Sequence, residues 1–471
     1  MLSYAEADLA RRDLGIPGLA TVLDPDAFLA ALRRAAPKVS RAEIGHVKYS
    51  PGAFCRAAYR IEVGSAEFDV DVRACRPQEL LSWVRKAHPA DSPGPLETPC
   101  MVLRDLAVVV TVFPNDPKLP QLGSLTDSDR RTRVLRDLLP DQPELWEAEI
   151  RCLRYRPERR YAAELRGHDG RRALLKALTR KGYLRAKRGA TAFRSSPPLQ
   201  VARLLGASDQ RHLLCLEWMP GTMLSDRSVL PEADCRAFSD TGVALAALHA
   251  QSADGLERWT RDDEIDYLYT LSREIAFIYP GFSAQARTLV RRLASWLREL
   301  PPVSLPLHGD FNGGQVLIDG HDVAIVDLDS AYCGDPADDL GNLLAQQETF
   351  ALHGKLSADR VAQSRDALLS GYRHMGRVAL LERVGPYTAS GLLRRARYAF
   401  RDRTIDWRQV VAASLERAEA ILDDGRSTRA RGAQPSGVRP VEGPDRPRPT
   451  ARGNPRGPAP TGVRVPGPRP R

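Results

Sequence analysis

Between residues 305 and 329 one short hairpin interrupts a stretch that otherwise reads as helix. Two apolar runs, Val316-Leu317-Ile318 and Val323-Ala324-Ile325-Val326, bracket the turn Asp319-Gly320-His321-Asp322, as expected of paired strands. Acids stand at both ends. Asp310 precedes the first run and Asp327 follows the second, so pairing brings Asp327 back beside the Asp310 loop. Helices must be arranged around this hairpin, which limits the possible folds.

Upstream the pattern is mainly strand. Residues 1–40 read as helix, with a capped amphipathic stretch starting near Asp24 or Asp26. Residues 44–74 read as strands with a Gly64-Ser65 turn, and residues 108–113 as a further strand. A charged helical stretch covers about 127–148. Residues 150–178 then echo 44–74: Lys48-Tyr49-Ser50-Pro51 matches Arg154-Tyr155-Arg156-Pro157, and the two segments end on Arg73 and Lys176. The echo is read as a weak two-copy repeat, the first copy degenerate. Strands first, then helices with one inserted hairpin, predict an α+β, two-lobed fold: a small antiparallel β lobe, a larger mainly helical lobe and an extra N-terminal α/β region. The expected divisions are 1–140 for the N-terminal extension, 141–222 for the β lobe, 223–424 for the helical lobe and 425–471 for a tail.

Charge separates the tail from the body. The chain carries +10 overall, but the tail holds eleven arginines against Glu442 and Asp445, so residues 1–424 are near neutral at +1. The tail also holds eleven of the 36 prolines. With little to bury, it is expected to be disordered. Near-neutrality of the body argues against nucleic acid as the main partner, apart from weak contact through the basic tail. Within the body, residues 151–200 carry +12 and residues 231–350 carry −12. That polarity suits a polyphosphate on one side and a metal on the other. No apolar run approaches a membrane span. Seven cysteines without a C-x-x-C pair read as thiols in a reducing compartment, and the expected location is the cytoplasm.

Phosphoryl transfer needs an oriented hydroxyl, a metal on the phosphates and fixed positive charge. Asp310 in "HGDFNGGQ" can accept the hydroxyl proton. Gln315 and Asp327 offer oxygens from adjacent hairpin ends, which suits Mg²⁺. His308 is expected to orient the loop backbone, and Asp339 in "GDPADDL" to cap its helix or hold the loop. Gly313-Gly314 would let the turn widen for the longer Gln315 side chain.

The set "HGDFNGGQ", "DLD" and "GDPADDL" resembles the aminoglycoside phosphotransferase and choline kinase family, which has a protein-kinase-like fold. The resemblance covers about 150–424 and departs at Gln315, where the family has Asn. It implies an ATP- and Mg²⁺-dependent phosphotransferase with a small-molecule hydroxyl acceptor (aminoglycoside, sugar or amino alcohol) and Asp310 as catalytic base. It also implies that Lys176 pairs with nucleotide phosphates, and that the Glu217 carbonyl and Met219 N–H meet adenine. Arg159 or Arg160, in the turn "RPERR" that replaces a glycine-rich loop, can reach phosphate. The family's helix glutamate opposite the lysine is missing, since no acid lies between Asp169 and Asp209. Lys176 is therefore expected to be mobile without nucleotide. The acidic lobe favours a cationic acceptor, with Asp262, Asp263, Glu264 and Asp266 as candidate partners against a reading as a solvated face. Gln315 and the missing glutamate motivate an alternative, a catalytically weak, pseudokinase-like regulatory module that binds nucleotide.

Overall fold

The strand meander is built twice. The computed structural model describes residues 1–86, 96, 98–230, 234–252, 254–373 and 378–432. Its first sheet comprises Val39–Ser50, Phe54–Val63, Ala66–Cys75, Cys100–Leu103 and Val108–Val112. Its second comprises Glu149–Arg156, Arg160–Arg166, Arg172–Leu178, Leu204–Ser208 and Leu213–Glu217. Both are antiparallel, with the same order: first, second, third, fifth, fourth. In each, a helix follows the third strand, Leu80–Lys86 in one and Arg180–Ala192 in the other.

The match extends to a turn. After the first strand of each sheet a proline is followed by a residue in the left-handed region, Gly52 at φ 66° and Glu158 at φ 53°. One aspartate grips each turn. Asp13 accepts from the Tyr49 hydroxyl at 2.6 Å and the Gly52 N–H at 2.8 Å. Asp116 accepts from the Tyr155 hydroxyl at 2.9 Å and the Glu158 N–H at 2.6 Å. These are the paired segments seen in the sequence.

The sheets have different cores. Tyr59, Val72 and Val110 of the first share a core with the N-terminal helices and the C-terminal helices. Leu175 and Cys215 of the second pack with Leu119, Leu135 and Leu145 from the connecting segment. Asp24 is the N-cap of helix Pro25–Arg33, accepting from two backbone N–H groups, as the residue type predicts.

The C-terminal half is helical, with principal helices Cys235–His249, Arg261–Ile278, Ser283–Glu299, Ala337–Leu352, Ala358–Arg373, Val384–Arg401 and Trp407–Gly432. The hairpin Val316–Asp319 and Asp322–Ile325 sits among them, with Val316 opposite Ile325. Leu199–Gln200 pairs with one edge and Thr222–Met223 with the other, joining the connection between the lobes to the hairpin. The α+β, two-lobed arrangement is as expected. The helix Trp407–Gly432 runs past the expected start of the tail at 425; the tail from 433 lies outside the described residues. No helix among the described residues is long and apolar enough to cross a membrane.

Candidate active site

The hairpin brings Gln315 and Asp327 to one end. The Val326 N–H donates to the Gln315 carbonyl at 2.9 Å, so Asp327 leaves the sheet beside Gln315. Asp327 has φ 63°, a left-handed conformation that aspartate tolerates better than most residues. The chain then makes the turn Leu328–Ser330, and Asp329 comes round beside Asp327.

Lys176 enters from the second sheet, two residues before its strand ends. Its Nζ donates to Asp327 Oδ1 at 2.7 Å and to Asp329 Oδ1 at 2.6 Å. Lys176 is only 3% exposed. This corrects the expectation of a mobile lysine: Asp329, with Asp327, supplies the partner that the helix lacks. Helix Arg180–Ala192 packs on this same turn: a Cβ at Gly189 would stand 2.0 Å from the Leu328 carbonyl oxygen.

Arg160 completes the cluster, with Nη1 3.0 Å from Asp327 Oδ2 and 3.6 Å from Asp329 Oδ2. Burial opposes charge on Asp327, but Lys176 and Arg160 outweigh it and hold its carboxyl well below the usual range. Burial dominates at Asp329, where Lys176 pulls down and Asp327 pushes up, leaving its carboxyl raised. Burial also opposes charge on Lys176, but the two carboxylates raise its ammonium pKa.

The Asp310 loop is held from behind. Asp339, 1% exposed, accepts from the His308 N–H at 2.7 Å and the Gly309 N–H at 2.9 Å. Of the two roles expected for Asp339, it therefore holds the loop. His249 supports it, with Nε2 3.1 Å from Asp339 and Nδ1 2.9 Å from the Tyr372 hydroxyl. His308 is fully buried and its Nε2 lies 2.8 Å from the Val326 carbonyl. That contact makes Nε2 the donor and Nδ1 the acceptor for the Asp310 N–H at 3.3 Å. His308 thus ties the loop to the strand that delivers Asp327. Gly309 has φ 80°, and a Cβ there would meet the Ser330 carbonyl at 2.3 Å, so only glycine fits.

Asn312 links Asp310 to Gln315. Its Nδ2 donates to the Asp310 carbonyl at 2.9 Å and to Gln315 Oε1 at 3.0 Å. Gly313 serves differently from expectation. Gly313–Gln315 is a 3₁₀ turn, and a Cβ on Gly313 would stand 2.9 Å from the Ser225 backbone nitrogen. Gly313 thus answers to close packing, not to a widened turn. Burial, with Arg160 and Arg156 nearby, lowers the Arg159 guanidinium to about 10, whereas Asp327 holds Arg160 above its ordinary value.

The expected nucleotide contacts lie at the end of the second sheet. Glu217 closes its last strand with its side chain held by Arg203 at 3.0 Å, and Met219 follows outside the strand. The acidic run is not simply a solvated face. Asp263 forms a capping box with Thr260, and Glu264, 2% exposed, accepts from Trp259 and Ser390. Asp335 pairs with Arg383 at 2.6 Å on the wall of a cavity of about 250 Å³, which Tyr332 and Tyr387 also line. Sequence reasoning missed Asp329, Asn312, His249 and Glu158. Only Asp329 had a local signal, the second acid of "DLD".

A family model described as Phosphotransferase enzyme family matches residues 125–381. This is more than half of the chain, and the protein belongs to that family. It is a phosphotransferase. No curated protein sequence matches it. Among solved structures it is similar to a choline/ethanolamine kinase family protein from Mesorhizobium loti, with 20% identity, 65% of this chain and 98% of that chain covered, and a TM-score of 0.47. It is also similar to a thermostable mutant of aminoglycoside phosphotransferase APH(4)-Ia in ternary complex with ADP and hygromycin B, with 17% identity, 63% and 98% coverage, and a TM-score of 0.45. A third is the macrolide 2'-phosphotransferase MphH from Brachybacterium faecium, with 18% identity, 63% and 98% coverage, and a TM-score of 0.40.

Proposed function

We propose that this enzyme transfers the γ-phosphate of ATP to a hydroxyl of a small molecule, with Mg²⁺ and with Asp310 as proton acceptor. The observation that carries the reading is that Lys176 and Arg160, from the second sheet, meet the Asp327–Asp329 turn, to which His308 ties the Asp310 loop. Asp310 accepts the hydroxyl proton as the new bond forms, and Asp339 and His308 keep its loop in place. Lys176 and Arg160 supply fixed positive charge where a polyphosphate would lie. The Glu217 carbonyl and Met219 N–H suit adenine; the Glu217 side chain is already engaged by Arg203. Among the described residues no group of three or more His, Cys, Asp or Glu is placed to hold a metal. Mg²⁺ takes few protein ligands and keeps waters. Asp327 and the Gln315 amide oxygen would hold it, with Asp329 alongside; such hard oxygen donors fit. When bound, Mg²⁺ would neutralise charge on the phosphate oxygens.

Of the acidic run, Asp263 and Glu264 are used within the fold, while Asp262 and Asp266 remain exposed. The regulatory reading loses one of its two motives, since Asp329 replaces the missing glutamate. All seven cysteines are free thiols, which supports a cytoplasmic location. The test is ADP release across a panel of alcohols, sugars and amino sugars in the presence of MgATP. Acceptor-dependent release supports the reading, and its absence across the panel, with no nucleotide binding, opposes it.

A further inference from the structure

Glu158 stands where the first copy of the turn has Gly52, in a left-handed conformation that costs a non-glycine residue about 1 kcal/mol or more. Its side chain explains why glutamate occupies the position. Glu158 Oε2 lies 2.6 Å from Arg73, 2.9 Å from Arg56 and 2.9 Å from Lys118. Arg73 and Arg56 belong to the first sheet. Burial opposes charge on Glu158, but Arg73 and Arg56, then Lys118, overcome it and hold its carboxyl down at about 2. Arg73 is itself 4% exposed and stacks on Trp83 at 3.7 Å from the ring centroid. The first sheet is anchored at its other side to the helical lobe. Arg12 donates to the Phe277 carbonyl at 2.8 Å, His46 meets Asp402 at 2.7 Å, and Tyr49 packs against Phe277 and Phe400. The next two residues after Glu158 are Arg159 and Arg160, and Arg160 reaches Asp327.

We propose that the N-terminal sheet is a clamp in cis: anchored on the helical lobe, it grips Glu158 through Arg73 and Arg56 and so positions the Arg159–Arg160 turn over the nucleotide phosphates. The proposal rests on the reading above for the identity of the ligand, but not for the grip itself. Glu158, Arg73 and Arg56 are positioning residues. A glycine-rich loop can be mobile because ligand orders it; this turn has no glycine and is ordered from outside by ion pairs. The second copy of the meander would serve the nucleotide, and the first would have become its brace.

Glu158→Gly tests the grip directly. It relieves the left-handed backbone, as Gly52 does in the first copy, while deleting the grip. With Mg²⁺ and a fluorescent ATP analogue, the full chain carrying this change should bind about tenfold more weakly, measured well below its melting temperature, which loss of the buried ion pairs also lowers. Arg73→Met should weaken binding similarly, and the double variant should be no worse than Glu158→Gly alone. Amide exchange in Arg73→Met, which leaves the turn sequence intact, should accelerate at residues 156–160 and stay unchanged in Arg172–Leu178. Unchanged binding in Glu158→Gly, or additive losses in the double variant, would overturn the proposal. If the wild type binds no nucleotide, the functional reading fails but exchange still decides: acceleration confined to 156–160 upholds the clamp, and unaltered exchange there removes it.

Discussion

Replacing Lys176 by Met keeps most of the aliphatic stem and removes the ammonium from between two carboxylates. The wild type has two charge-assisted bonds there, 2.7 Å to Asp327 and 2.6 Å to Asp329. Breaking a buried pair by removing one partner costs about 3–5 kcal/mol. The low end applies, about 3 kcal/mol, because Arg160 remains within 3.0 Å of Asp327 and 3.6 Å of Asp329. For a unit of 150–250 residues that corresponds to a fall of about 6–12 °C in melting temperature. The pH dependence has a definite sign. The Asp329 carboxyl already titrates above its ordinary value, and without Lys176 it should rise further. A carboxyl raised in the folded state favours folding at low pH and loses that contribution as pH rises through its folded pKa. The penalty of Lys176→Met should therefore be smaller at pH 5 than at pH 8. Adding Asp329→Asn should recover part of it at pH 8 only. Calorimetric melts of the three proteins at both pH values measure this. A Lys176→Met melt within about 1 °C of wild type at pH 8 would show that Lys176 is not held as described.

Gln315→Ala should lower Mg²⁺-dependent nucleotide affinity and leave the fold intact, and Gln315→Asn should not improve on the wild type; titration calorimetry with and without Mg²⁺ decides it, and equal heats for Gln315→Ala and wild type would remove its metal role. Burial, offset by Arg56 and reinforced by Glu158, raises the Asp71 carboxyl to about 7. Its contribution to stability is thus present at low pH and lost as pH rises through about 7. Asp71→Asn should accordingly gain melting temperature relative to wild type between pH 5 and pH 8, and a constant difference across that range counts against the raised value.

How much could be read from the sequence depended on the distance between interacting residues. The hairpin was legible because its turn, its two apolar runs and its flanking acids lie within about twenty residues. The Asp310 loop followed from the same stretch, and Asp339 lies close enough for its role in holding the loop to be one of two expectations. The repeat showed through Tyr-x-Pro in both copies, but not the shared aspartate grip, since Asp13 and Asp116 lie 36 and 39 residues before the tyrosines they hold. Glu158 was invisible as an anchor. Among four arginines in "RYRPERR" it reads as one acid in a solvated basic turn, whereas its partners Arg56 and Arg73 are 102 and 85 residues away. The mobile Lys176 was a wrong inference from a right observation. The helix does lack a glutamate, but Asp329, 153 residues on, takes its place once the backbone turns at Asp327. His249 was passed over for the same reason, its partner Asp339 being 90 residues distant.

The central claim is that Asp310 accepts the proton of an acceptor hydroxyl during phosphoryl transfer. Transfer of labelled γ-phosphate from MgATP to an acceptor, compared between wild type and Asp310→Asn, tests it most directly, with nucleotide affinity measured on the same samples. The account predicts labelled product from the wild type, a loss of about a hundredfold or more in Asp310→Asn, and nucleotide affinity within a few-fold, because orienting and deprotonating the hydroxyl belong to the reacting state. Transfer by Asp310→Asn at close to the wild-type rate would contradict it.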